Sequence, residues 1–153
     1  LDSALPRRIS VTGFGYDHAI FMSYLAAVPM LHACNDAERQ EIAERAEPRQ
    51  IADGAAIVTE GETGDEFFVL ASGHAAVSRG GQEVAQLDPG AFFGELALFD
   101  AAPRNATITA RGPATVVVLH RDEFRELLGD VPSLRDSLLQ GMARRLHDLD
   151  GTA

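Results

Sequence analysis

The stretch FFGELALFDAAPRNATITA, Phe92 to Ala110, lies among short strand-like segments and does not itself read as one of them. Leu96, Leu98 and Phe99 surround Ala97 without a turn residue between them, which predicts a single helical turn set between strands. Gly94 opens that turn and, lacking a side chain, lets a ligand approach the backbone closely. The free N–H groups at the start of a helical turn can receive an anion. Arg104 supplies a planar fork of donors that matches phosphate oxygens two at a time. Glu95 could accept a hydrogen bond from a sugar hydroxyl and brace Arg104 at the same time. A cation and amides for an anion, with a carboxylate for a polyol, describe a sugar phosphate better than an inorganic anion. The residues alone leave another reading open. Glu95 and Arg104 could form a surface ion pair of little energetic weight, with Gly94 and Pro103 making turns.

Outward from this stretch, short apolar pieces run from Pro48 to His120: QIA, AAIVTE, FFVLASG, HAAVSR, EVAQL, NATITA and ATVVVLH. Turn signals ADGA, GETGD, RGGQ, DPGA and RGPA fall between them. That spacing predicts about eight short antiparallel strands in a sandwich, roll or small barrel. Before the strands, Ile20, Phe21, Tyr24, Leu25 and Val28 recur at helical spacing up to Pro29. Asn35 with Glu38 three residues on reads as a capping box for NDAERQEIAERA, its inner face Ile42, Ala43 and Ala46. After the strands, RDEFRELLGD is a short helix with Phe124, Leu127 and Leu128 inward. Pro132 and Ser133 start a longer one, with Leu134, Leu138, Met142, Leu146 and Leu149 as its apolar stripe. Residues 1–16 read as a linker or irregular arm, 17–150 as one domain and 151–153 as a tail.

The chain has 153 residues, enough for one domain, and carries a net charge of −10. Such a surface repels nucleic acid and anionic lipid, so neither is expected as a partner, and an anionic ligand needs a local positive site. Cys34 is the single cysteine, which fits a reducing compartment, and no apolar run approaches a membrane span of about 20 residues. The chain begins at Leu1, as expected of a processed product or a piece of something longer. His18, His32, His74, His120 and His147 are scattered without metal-ligand spacing, and no G-x-S-x-G or clustered H-x-H occurs. Neither a metal nor catalytic residues are therefore expected, and an enzyme is not.

FGELALFDAAPRNAT resembles the phosphate-binding cassette of cyclic nucleotide-binding domains, the sensor family of catabolite-activator proteins and protein-kinase-A regulatory subunits. Phe93, Gly94, Glu95, Leu96, Ala97 and Leu98, then Pro103, Arg104, Ala106 and Thr107, follow the cassette's order. Upstream, EGETGDEFFVLASGHAAV resembles a second motif of the family, and the likeness runs from about Phe21 to Leu149. It implies an eight-stranded antiparallel β-roll, jelly-roll-like, with the cassette helix inside it, N-terminal helices before it and two C-terminal helices after it. It also implies that Arg104 pairs with the cyclic phosphate and Glu95 accepts from the ribose 2′-hydroxyl. Backbone amides of Gly94, Ala97 and Asn105 would face the sugar-phosphate, with Leu96 in the same turn and Ala106 against the ligand. Gly61, Gly64, Asp65 and Gly73 match positions that shape the roll's turns.

Asn105 departs from the family's usual residues after the arginine, and it can donate to or accept from either purine. Cyclic AMP is the favoured ligand and cyclic GMP the alternative. The cover for the base would come from the last helix, with Met142 and Arg145 as candidate base contacts. The resemblance implies a regulatory module in the cytoplasm, or on the cytoplasmic face of a membrane protein. Such a module would signal through its C-terminal helices to an output domain or partner protein. A homodimer through the last helix is a further arrangement open to it. Two rival readings are a ligandless roll serving as a scaffold and the sensor half of a transcription regulator without its DNA-binding domain.

Overall fold

Asn35 starts the first complete helix, α1 (Asp36–Arg45), through reciprocal bonds of 2.8 Å: its side chain accepts from the Glu38 amide, and the Glu38 carboxylate accepts from its own. This is the capping box expected from the sequence, and it satisfies two donors a helix end otherwise leaves bare. Ile42 and Ala43 are buried on the inner face, with Ala46 just beyond the helix. The computed structural model of the protein describes residues 22, 23, 25, 26, 28, 31–95 and 103–152, the last eight by backbone alone. Of the expected N-terminal helix, residues 22, 23, 25 and 26 are helical, and Leu25 and Val28 are buried in the core.

Among the described residues six strands follow: β1 (Glu47–Ile51), β2 (Ala56–Val58), β3 (Glu66–Arg79), β4 (Gln82–Leu87), β5 (Phe92–Phe93) and β6 (Thr107–His120). They form one antiparallel sheet in the order β1-β6-β3-β4, with β2 also on β6 and β5 on β3. The count of six corrects the expected eight. FFVLASG and HAAVSR are one strand, β3, and NATITA and ATVVVLH are another, β6. Both stay paired through the supposed turns because the irregularities face each other. The register shifts between Leu70 and His74, and a side-chain carbon on Gly73 would lie 2.5 Å from the Pro113 carbonyl. Gly73, at φ +84°, bends β3 where RGPA bends β6, so each long strand folds over as two halves without leaving the sheet. Counting those halves separately restores eight segments, and the architecture is the expected roll.

The alternation of side chains along β3 and β6 divides the interior in two. Phe67 and Val69 of β3, paired with Leu119 and Val117 of β6, face the helices and pack with Leu25, Ile42, Phe124, Leu127 and Leu134. Their neighbours Phe68 and Leu70, paired with Val118 and Val116, point into the roll with Phe93, Ile108 and Ala110. Both faces are covered, which is why FFVL and VVVL are continuous apolar runs rather than alternating ones. The helical side is closed by α2 (Arg121–Asp130), burying Phe124 and Leu127, and by α3 (Pro132–Thr152), burying Leu134 and Leu138. Pro132 sits at the first position of α3, where its missing N–H costs nothing. Among the described residues no helix is long and apolar enough to cross a membrane.

Candidate functional site

Arg104 enters β6 held by its own backbone. Its amide donates to the Glu62 carbonyl at 2.8 Å, and its carbonyl accepts from the Gly61 amide at 2.9 Å. The Thr107 hydroxyl accepts from the Glu60 amide at 2.9 Å, and Thr63 bridges Pro103. The GETGD segment therefore clamps the PRNAT segment along its length, and the guanidinium turns inward between them. Its Nη2 donates to the Glu66 carbonyl at 2.9 Å, and its Cζ stands 5.8 Å from the centre of the Phe68 ring. Phe68 is itself stacked on Phe93, with ring centres 5.0 Å apart.

Two glycines make the space. A side-chain carbon on Gly64 would fall 2.8 Å from Arg104 Nη2, and one on Gly94 would fall 2.9 Å from Nη1 and 2.6 Å from the Glu66 carbonyl. Gly94 has φ +86°, so its absent side chain permits both the backbone turn and the approach of the arginine. Glu95, the next residue, is 8 % exposed, and its burial is unusual for a carboxylate. Burial lowers the pKa of the Arg104 guanidinium, against the upward pull of the nearby Glu66, Asp65 and Glu95 carboxylates. With three carboxylates acting on one partly desolvated arginine, the surroundings oppose a dianion more strongly than a monoanion.

The structure thus sets the backbone of Gly94 against the Arg104 guanidinium, with the Glu95 carboxylate near enough to act on its charge. Asn105 is exposed beside them and Ala106 is buried. Met142 is half-buried and packs on the helix-side core. Leu96, Ala97 and the side chain of Arg145 lie outside the described residues. Sequence reasoning assigned Gly64 and Asp65 to a turn. In the fold Gly64 lies against the guanidinium, and Glu66 supplies its acceptor through the main chain. Only the GETGD motif at its separation from Arg104 hinted at that; a carbonyl acceptor leaves no mark on residue type. Among the described residues no group of three His, Cys, Asp or Glu side chains could hold a metal ion.

The family model for the cyclic nucleotide-binding domain matches residues 48–130. The cAMP-dependent protein kinase regulatory subunit of Yarrowia lipolytica is 37% identical over 133 residues, 86% of this chain and 36% of that protein. The chain spans about a third of the length of the curated relatives it matches. The regulatory domain of Toxoplasma gondii PKA, solved with cAMP, is similar at TM-score 0.69 and 33% identity, over 82% of this chain and 49% of that one. The catabolite activator protein of Thermus thermophilus is similar at TM-score 0.72 and 30% identity, over 80% of this chain and 60% of that one.

Proposed function

The chain belongs to the cyclic nucleotide-binding domain family, and from that premise we propose that it is a regulatory module that binds cyclic AMP at the Gly94, Glu95 and Arg104 site. The observation that carries this reading is the seating of Arg104. It is half-buried, held at Nη2 by the Glu66 carbonyl, and flanked at Nη1 by the open side of Gly94. In this reading the cyclic phosphate pairs with the guanidinium, the ribose 2′-hydroxyl donates to Glu95, and Ala106 packs beneath the ring. The amides of Gly94, Ala97 and Asn105 complete the phosphate's hydrogen bonds, with Leu96 in the same turn. Asn105 reads the purine edge, and Met142 or Arg145 of α3 covers it.

A cyclic phosphate carries one negative charge, whereas the phosphate of AMP is largely dianionic at neutral pH. Asp65, Glu66 and Glu95 beside a single arginine favour the first over the second. Cyclic AMP rather than cyclic GMP is supported by the relatives, whose printed names are cAMP-dependent kinase regulatory subunits. Those names also support a regulatory module over an enzyme, and a protein kinase chain as the partner. Ligand capture would shift the population of cassette positions against which α2 and α3 repack. Phe92 offers the route: it lies two residues before Gly94, and its ring fills the space beside Gly141 of α3 that a side-chain carbon there would take.

Isothermal titration calorimetry with cyclic AMP, cyclic GMP and AMP tests the reading. Saturable binding is expected for cyclic AMP, weaker for cyclic GMP, and much weaker for AMP. A folded sample that gives no heat with any of them overturns it in favour of a ligandless roll. Identical hydrogen-exchange protection of α2 and α3 with and without ligand would overturn the relay alone.

A further inference from the structure

His120 ends β6 and stands immediately before α2, and its side chain makes no cap on that helix. It points instead at two carboxylates. Its Nδ1 lies 3.8 Å from Asp65 Oδ1, and its Nε2 lies 3.7 Å from Glu66 Oε2. The backbone repeats the connection: Glu66 is register partner to His120, and the Arg121 amide donates to the Asp65 carbonyl at 2.8 Å. Asp65 and Glu66 therefore serve two clients. Their side chains face His120, while the Glu66 carbonyl holds the Arg104 guanidinium and both carboxylates contribute to its field.

We propose that His120 is a proton-linked positioning residue for the Arg104 site, tightening the hold on a cyclic nucleotide when its imidazole is protonated. This rests on the reading of the site given above. An imidazole with a carboxylate 3.7–3.8 Å from each ring nitrogen attracts both through N–H groups only in the charged form, where both nitrogens carry a proton. Imidazole is also the side chain that changes charge around neutral pH.

The other charged groups do not cancel this effect. From β1, Arg49 donates to Glu66 Oε2 at 3.1 Å and also pairs with Glu47 at 3.5 Å, so one cation already serves two carboxylates. Arg104 reaches the far side of Glu66 from the loop before β6. Arg121, Asp122 and Glu123 follow His120 in the first turn of α2 and bring one positive and two negative charges. Counting Glu47, Asp65, Glu66 and Glu95 against Arg49 and Arg104, the neighbourhood is acidic without the histidine. A proton on His120 offsets the carboxylates that oppose an anion at Arg104 and pins Asp65-Glu66 to the start of α2. The sign follows. A bound monoanion favours the imidazolium, so binding takes up protons, and affinity rises as pH falls through the histidine titration.

The experiment has two arms on the full chain. In the first, cyclic AMP affinity is measured from about pH 8.5 to about pH 6 for the parent and for His120→Gln, in buffers of differing ionisation enthalpy. The parent should bind about threefold more tightly at the acidic end, the size of one screened charge some way from the phosphate, with net proton uptake. His120→Gln should lose both the rise and the uptake. A flat parent profile, or the same slope in His120→Gln, overturns the proposal. The second arm needs no nucleotide. The His120 ring resonance, identified by its loss in His120→Gln, is titrated by NMR in the parent and in D65N/E66Q. Its midpoint should fall when the carboxylates are neutralised. An unchanged midpoint overturns the pairing, whereas a shifted midpoint with no cyclic AMP binding retains the pairing and removes the nucleotide reading.

Discussion

Substituting Gly94 by alanine tests how much of the site depends on backbone proximity. The structure separates two costs. At φ +86° an L-residue is strained by about 1–2 kcal/mol. The added carbon would also meet the Glu66 carbonyl at 2.6 Å and Arg104 Nη1 at 2.9 Å, where neither neighbour can yield without moving β3 or the guanidinium. Forcing a carbon into such a space costs about 1–3 kcal/mol more, for a total of about 2–5 kcal/mol. Gly54 is the control. It has nearly the same backbone, φ +82°, but a carbon there meets nothing within 4 Å. Gly54→Ala should therefore show the strain alone. Urea unfolding of the two variants measures the difference, expected at about 1–3 kcal/mol, and calorimetry with cyclic AMP measures the second consequence. Because the carbon displaces the carbonyl that holds Arg104, Gly94→Ala should weaken binding at least tenfold while Gly54→Ala leaves it unchanged. Equal destabilisation of the two, or a Gly94→Ala chain with the parent's affinity, refutes the argument from close approach.

Three further outcomes are expected. Arg104→Gln should weaken cyclic AMP binding by about 2–5 kcal/mol, the range for truncating one partner of a desolvated charge pair. Its ligand-free stability should change by only about 1 kcal/mol, because the lost bond to Glu66 is partly offset by release of a guanidinium that burial disfavours; calorimetry and thermal denaturation read the two. Glu95→Gln should lose roughly tenfold in affinity for cyclic AMP and much less for its 2′-deoxy analogue, the difference being a charged hydrogen bond to the ribose. Equal losses for both ligands would place Glu95 elsewhere. Gly141→Ala puts a carbon 2.7 Å from the Phe92 ring and should destabilise the fold by about 1–3 kcal/mol. Pairing it with Phe92→Leu should recover part of that loss in a double-mutant cycle, and strict additivity would deny the contact.

Much of the fold could be read directly. The capping box at Asn35 and Glu38 lies within four residues, and the helical spacing of Phe124 and Leu127 within one turn, so local chemistry decides them. The joining of FFVLASG to HAAVSR could not be read that way. Ser72 and Gly73 look like a turn until β6 is alongside, and only the facing irregularity at Gly112 and Pro113 keeps the strand paired across the shift in register. A glycine with φ > 0 marks a turn or a bulge equally well, and the partner strand chooses.

The same division runs through the site. The sequence by itself determined which groups could bind a sugar phosphate, because Gly94, Glu95 and Arg104 carry their chemistry in their side chains, or in the lack of one. Tertiary structure decided what holds them. The carbonyl that fixes Arg104 belongs to Glu66, 38 residues earlier in the chain. Gly64 makes room for the guanidinium, and His120 faces the Asp65 and Glu66 carboxylates from the far end of β6. Every residue offers a backbone carbonyl, and histidine beside carboxylate is a matter of register. Such contacts are specified by the pairing of β3 with β6 rather than by any local pattern, and they arise only once the sheet has formed.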